Sequence, residues 1–445
     1  MKTPASIVLS FALATGALAA GVRDIATTPF FITAPGHYAV VQHIVAAPMQ
    51  AQPIITVSSP DVVLDLNGFT LDGNGSTHSA ILIQSGSPRV TIRNGFIANC
   101  SDAPAIRALT ADIHIEDISF RACVRPIFAL ARARIEGCMA WGGGAAPSSG
   151  DLIVVGNDAS VRDTVIHGYT FGAISSNNAA IRIGEDATVQ GCVIHDLVSP
   201  VAGTGVLHGV YGERNASLSD AAFFHWVRTN ATGSVRASRL AEDGAMRRVA
   251  ISAPAITPGW SPTEVTRVSE STSAFTHGYR GASLIMDSVA GAIAGFGRAF
   301  SDVDSVNGSV AAHAYYGYTT RENTTNHASY VRSVARNITL YGFYAQGRFT
   351  QIVECLADRV TGDVDSYAFN HAEVSGLMED VIHCHASNSE QGFRHVRSGY
   401  FAGNSASMNV TNQFNVGGPT GARGVKFPPL GNNFIQQYPR LNFEF

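Results

Sequence analysis

The stretch Asp61-Val62-Val63-Leu64-Asp65-Leu66-Asn67-Gly68-Phe69-Thr70-Leu71-Asp72-Gly73 decides the fold. Two short segments that alternate apolar and polar residues flank an Asn-Gly pair, and such alternation is the mark of a half-buried strand. Asn and Gly tolerate the left-handed conformation needed where one strand bends sharply into the next. The pattern returns at Arg93-Asn94-Gly95-Phe96, Glu116-Asp117-Ile118, Glu136-Gly137-Cys138, Arg162-Asp163-Thr164 and Gln190-Gly191-Cys192. The turn residue thus recurs at 67, 94, 117, 137, 163 and 191, each time after a strand such as Val90-Thr91-Ile92 or Ile113-His114-Ile115. A strand–turn unit repeated at this interval stacks on its neighbours as a solenoid.

The C-terminal half carries a second ladder, of aromatic residues: Phe275, Phe296, Tyr318, Phe343, Phe369, Phe393 and Phe414. Gly or Ala precedes nearly all of them. Like residues at one register of successive coils stack about 4.8 Å apart, so the ladder predicts an inward aromatic column. The fold expected is all-β, a right-handed parallel β-helix. Its boundaries read as a signal peptide over 1–20, an N-terminal cap over 21–60, and the helix over 61–416. An irregular insertion is expected near 215–262, where Pro254, Pro258, Trp260 and Pro262 cluster, and a C-terminal cap or tail over 417–445.

Composition agrees. Gly is abundant (44 residues), charged residues make up only 14%, and no linker-like tract divides the chain. Lys2, the apolar run from Ile7 to Leu18 and the small-x-small Ala17-Leu18-Ala19 predict a cleaved secretory signal, hence a secreted or periplasmic protein. No stretch reaches the roughly 20 apolar residues of a membrane helix. The net charge of −4 offers no basic face for nucleic acid. Lys occurs only at Lys2 and Lys426, so basic chemistry falls to Arg and His.

Together with Pro35-Gly36-His37-Tyr38, the opening stretch resembles bacterial right-handed parallel β-helix repeat proteins of the pectate-lyase-like superfamily. That resemblance implies the fold and, as substrate class, extracellular polysaccharide. The superfamily's sharper signatures are missing: no Asp-Pro-His, no Gly-His-Gly, and no Arg-x-Pro-x-x-Arg. Fold alone does not fix chemistry.

Strand alternation sends the residue after each ladder aromatic outward, giving Thr276, Gly297, Thr319, Tyr344, Asn370, Arg394 and Asn415. Three successive rungs then present Tyr344, Asn370 and Arg394, with Arg348, His371, Glu373 and His395 nearby in sequence. Arg suits neutralisation of a uronate carboxylate, which acidifies the neighbouring C5 proton, while Tyr or His moves the proton. The expected activity is therefore a polysaccharide lyase acting by β-elimination. Its catalytic candidates are Tyr344, Arg394, His371 and His395, and its substrate-binding candidates Asn370, Arg348, Glu373 and Tyr318. By alternation, His371 and His395 equally fit stacked core histidines.

The pairs Asp302/Asp304 and Asp363/Asp365 offer an acidic alternative, a glycoside hydrolase or fructotransferase with acid and base carboxylates. The same spacing could hold Ca²⁺ through oxygen ligands, or simply cap turns. No other cofactor or metal motif is present. His383-Cys384-His385 splits its ligands over two faces of a strand and reads as structural. Cys100 and Cys123 are expected to stack on adjacent rungs, where a disulfide could form after export. Cys138 and Cys192 fall two rungs apart, and Cys355 and Cys384 out of register. A non-catalytic glycan-binding or surface protein, and a trimer with sites between subunits, complete the alternatives.

Overall fold

In the computed structural model, the described residues are 21–47, 50–142, 150–171, 177–199, 206–228, 234–240, 245–252, 277–291, 297–320, 327–345, 349–362, 366–371, 378–395, 401–402 and 404–416. All secondary structure among them is β-strand, and every strand pairing is parallel, each strand with its counterpart one coil earlier and one later. The chain is a parallel β-helix with three strand faces per coil. Ile81–Ile83, Val62–Asp65 and Thr70–Asp72 exemplify the first, second and third faces.

The turn ladder lies between the second and third faces. Asn67, Asn94, Asp117 and Asp163 have φ of 51°, 57°, 52° and 47°, and Gly137 and Gly191 occupy the same corner at 63° and 66°. A Cβ on Gly137 or Gly191 would collide with the carboxylate of Asp117 or Asp163, which reaches over from an earlier coil. Asp and Gly at this corner are therefore complementary, one supplying the oxygen and the other the space. The ladder continues past its sequence-legible part through Asp220, Arg248, Asp287, Gly308, Arg332, Glu354 and His383.

Inside, one unbroken column runs the length of the first face. It begins Phe30, Ile55, Ile81, Ile106, Ile127, Ile153, Ile181, Val210, Ser238. It then turns aromatic as Tyr279, Phe300, Tyr318, Phe343, Phe369 and Phe393, with Phe414 next in register. Rings from Tyr279 to Phe393 stack at centroid distances of 4.7, 4.7, 4.6, 5.0 and 4.6 Å. Isolated aromatic pairs prefer offset or edge-on contact, so near-parallel stacking here is imposed by strand spacing.

The expected ladder is right from Tyr318 onward and shifted before it. Phe275 and Phe296 lie outside the described residues, and Tyr279 and Phe300, four residues later, hold their places. Periodicity alone could not choose between two aromatics so close together. Tyr318, expected to bind substrate, is fully buried in this column, its hydroxyl 2.6 Å from the Ser309 carbonyl oxygen. It is a core residue.

The third face answers the first. Its inward column is Leu71, Ile97, Phe120, Ala140, Ile166, Ile194 and Phe223 in the early coils, then Ala290, Ala311, Ala335, Ala357, Ala386 and Ala406. Where the first face gains rings, the third shrinks to methyl groups, which keeps a close-packed core of constant width.

Other boundaries need correction. Strands Arg23–Ile25 and Phe30–Ile32 already pair with the coils that follow, so 21–60 is helix and not a separate cap. Register is also kept over the described residues 215–228, 234–240 and 245–252, so that part of the expected insertion is regular coil; residues 253–276 lie outside the description, as do 1–20 and 417–445. Cys100 and Cys123 are buried neighbours, their contact and burial raising the Cys100 thiol well above its ordinary pKa. Cys138 and Cys192 are separated by Thr164, as expected. Cys355 and Cys384 were expected out of register, yet pairing of Leu356 with His385 sets them on adjacent coils. Unequal loop lengths between coils hid that match.

Candidate active site on the first face

The register expected on the first face is present, but Thr319 and Asn370 are only 1% and 4% exposed, so the column is not outward along its whole length. Thr319, Tyr344, Asn370, Arg394 and Asn415 are paired in register along the strands Val310–Thr319, Val334–Ala345, Tyr367–His371, Gln391–His395 and Thr411–Val416. Above Thr319 the column holds Ser301 and Arg280 in place of the expected Gly297 and Thr276, because the register shifts with Phe300. It continues back through Arg239, Tyr211 and Arg182.

A second column on the same face went unrecognised in the sequence. Arg298, Tyr316, Tyr341, Tyr367 and Gln391 pair in register two residues before the aromatic core. The two columns meet as a tyrosine cluster. Tyr341 and Tyr344 lie 4.6 Å apart, Tyr316 and Tyr341 5.6 Å, and Tyr316 and Tyr344 6.3 Å between ring centroids. Guanidinium groups bracket it: Arg298 sits 5.3 Å from the Tyr316 ring and Arg394 5.4 Å from that of Tyr367. The signal was in the sequence as Tyr316-Gly317-Tyr318, Tyr341-Gly342-Phe343 and Tyr367-Ala368-Phe369. Strict alternation would send both aromatics inward, yet Tyr316 and Tyr341 are half-buried where Tyr318 and Phe343 are fully buried.

Electrostatically the cluster is a set of donors beside cations. Burial, with the neighbouring Tyr315, pushes the Tyr316 phenol up to about 12 against the pull of Arg298. At neutral pH it keeps its proton. Asn370 is 4% exposed, and its Oδ1 has no hydrogen-bond partner among the described residues. Such an orphan acceptor costs roughly 1–3 kcal/mol unless a donor reaches it.

The remaining candidates divide. His371 and His395 end their strands directly after Asn370 and Arg394, and only their backbone is described. Arg348, Glu373, Asp363 and Asp365 lie outside the described residues. Asp302 has a φ of 57° at the corner between the first and second faces, so it and Asp304 do not share one flat strand. Burial raises the Asp304 carboxyl. Among the described residues no three His, Cys, Asp or Glu side chains converge as a metal site requires, and no helix is long and apolar enough to cross a membrane.

Face one has a further polar centre toward the N-terminus. Arg182 holds Asp151 through both nitrogens, at 2.5 and 3.2 Å, and its guanidinium lies 4.5 Å from the Tyr211 ring. Arg239 approaches the same ring at 5.4 Å. Outside the first face, Trp141, His167 and His195 form an outward stack on the third, with Arg121 at 4.8 Å from Trp141.

No protein family and no curated protein matches the chain. Among solved structures, the Azotobacter vinelandii mannuronan C-5 epimerase AlgE4 A-module is similar at 10% identity. The match covers 75% of this chain and 92% of that one, with a TM-score of 0.30. At that distance, what the epimerase acts on says nothing about this chain's substrate.

Proposed function

We propose that the protein is an exported polysaccharide-active enzyme that cleaves an acidic glycan by β-elimination on the first face of its C-terminal coils. The observation that carries this reading is the half-buried cluster of Tyr316, Tyr341 and Tyr344, bracketed by the guanidinium groups of Arg298 and Arg394. Phenols beside guanidinium groups suit a ligand that brings both hydroxyls and a carboxylate.

The chemistry follows from the charges. Arg394, or Arg298 across the cluster, would pair with the uronate carboxylate and stabilise the charge that develops when the C5 proton leaves. A base at the strand ends, His371 or His395, would take that proton. The electrons form the C4–C5 double bond, the O4 bond breaks, and a protonated tyrosine supplies the leaving oxygen with its proton. Tyr344 is the residue assigned that donation, with Tyr316 as its protonated neighbour.

The alternative is a binding protein, and one observation favours it: Tyr367 and Asn370 are nearly buried, so part of the cluster is wall and not reachable surface. A polysaccharide panel separates the two. Absorbance of unsaturated products rising together with reducing ends supports elimination, and Tyr344→Phe should then lose on the order of 100-fold in rate. Reducing ends without absorbance would move the assignment to hydrolysis. Binding without either product would leave the glycan-binding reading.

A further inference from the structure

The third face of the last coils carries a polar centre that the reaction above does not use. His385 lies between two serines of the next coil, its Nδ1 2.7 Å from Ser405 Oγ and its Nε2 3.3 Å from Ser407 Oγ. Register fixes the arrangement, because His385 pairs with Ser405 and Ser387 with Ser407 in the strands His385–Ser387 and Ser405–Ser407. All three side chains are half-buried and reachable from solvent.

One coil earlier, on the same face, sits Asp358. It is 6% exposed, and accepts hydrogen bonds from Asn388 at 2.8 Å, Ser387 at 2.9 Å and Arg336 at 3.2 Å, with Arg359 at 3.8 Å. Asp358 is level with Ser387, two residues along from His385, so carboxylate, imidazole and hydroxyl come from three successive coils, with the carboxylate on the neighbouring column.

A neutral imidazole has one N–H and one lone pair. With a hydroxyl at each nitrogen, one serine must donate into that lone pair, which is how a serine is activated as a nucleophile. Burial lowers the His385 pKa while Asp358 pulls it upward, so the ring is neutral at pH 7 and its protonated form has a nearby counter-charge. Asp358 differs from the carboxylate of a hydrogen-bonded triad in that it acts through space; Nδ1 is given to Ser405.

We propose that Ser405, His385 and Asp358 form a second catalytic centre, which hydrolyses short acyl esters by acyl transfer to Ser405. In the tautomer required, Nε2–H donates to Ser407 and Nδ1 accepts the Ser405 proton as Oγ attacks the ester carbonyl. The C–O bond breaks, the alcohol leaves with that proton, and water attacks the acyl-serine to release the acid and restore the hydroxyl. The inference stands apart from the chemistry of the first face and neither needs nor supports it.

The experiment uses the full exported chain with two probes, a fluorophosphonate that labels activated serines and p-nitrophenyl acetate. The expected result is one adduct, mapped to Ser405 by peptide mass, with steady ester hydrolysis. His385→Gln should lose about 100-fold or more of both labelling and turnover, whereas Ser160→Ala, on the second face of an early coil, should stay within a few-fold of the parent. A folded parent protein that takes no label, or an adduct that persists in Ser405→Ala, overturns the proposal. The parent reading is decisive even where a variant fails to fold.

Discussion

The early and late coils share one backbone plan and fill it differently. From Ile55 to Ile181 the first face is stacked isoleucine, opposed by large residues such as Ile97, Phe120 and Ile194 on the third. From Tyr279 to Phe393 the first face is stacked rings, opposed by alanines from Ala290 to Ala386. The bulk of the core thus moves from the third face to the first. The difference teaches that a column of rings also needs room beside it, and the late coils provide that with Gly317, Gly342, Ala368 and Gly392 just before each ring. A Cβ on Gly342 would stand 2.5 Å from the Ala368 carbonyl oxygen and 3.1 Å from the Ala357 Cβ. The clustered tyrosines occur in the same late coils. The compact third face and the glycine gaps are what let an aromatic core and an outward tyrosine cluster share one short strand.

If the late coils depend on ring stacking, the largest effect should come from removing a central ring. Phe343 stacks on Tyr318 and Phe369 and is fully buried. Phe343→Ala should cost about 3–5 kcal/mol in chemical denaturation, against about 0.5–1.5 for Ile153→Val in the early column. Equal losses at the two sites would break the comparison. Next comes the gap beside the rings: Gly342→Ala should destabilise by about 1–3 kcal/mol through overpacking, whereas an added methyl at a solvent-facing position of the same strand should be silent. Crystallography of the variant would show whether the Ala368 carbonyl moves.

A smaller effect separates the charges of the two halves. In the early coils Asp61 and Asp112 are exposed, and their hydrogen bonds to Arg89 and Arg132 hold them below the ordinary carboxylate range. Asp358, in the late coils, is resisted by burial, yet Asn388, Ser387 and Arg336 hold it low as well. A depressed folded pKa means that stability is present above the ordinary value of about 3.9 and is lost as pH falls through the folded one. Melting temperatures of the parent and Asp358→Asn should therefore differ at neutral pH and converge below about pH 4. A gap that persists in acid would show that Asp358 contributes by shape alone. Added salt should weaken the exposed Asp61–Arg89 pair more than the sheltered Asp358 network.

Much of this architecture was legible before any coordinates. The Asn67-to-Gly191 ladder reads directly because corners demand particular residue types, and a left-handed corner admits few. The aromatic column was legible from Tyr318 onward, and with it the stacking of Tyr344, Asn370 and Arg394. The tyrosines at 316, 341 and 367 were missed because they depend on a local break in alternation, which leaves no trace in period-2 reasoning. Tyr318 was misassigned to the surface although its own ladder placed it inside. The Ser405–His385–Asp358 centre was invisible for a different reason: it joins three coils through register, and register depends on loop lengths that vary from coil to coil. The alanine column on the third face went unread because Ala is common everywhere and becomes meaningful only opposite the rings.

The most direct test of the central claim is covalent footprinting of exposed tyrosine and tryptophan side chains with and without a saturating acidic oligosaccharide, read residue by residue by mass spectrometry. The account predicts that Tyr341 and Tyr344 are protected and that Trp141, on the third face of the early coils, is unchanged. Protection at Trp141 with Tyr344 still reactive would contradict it and place the glycan on the other half of the molecule.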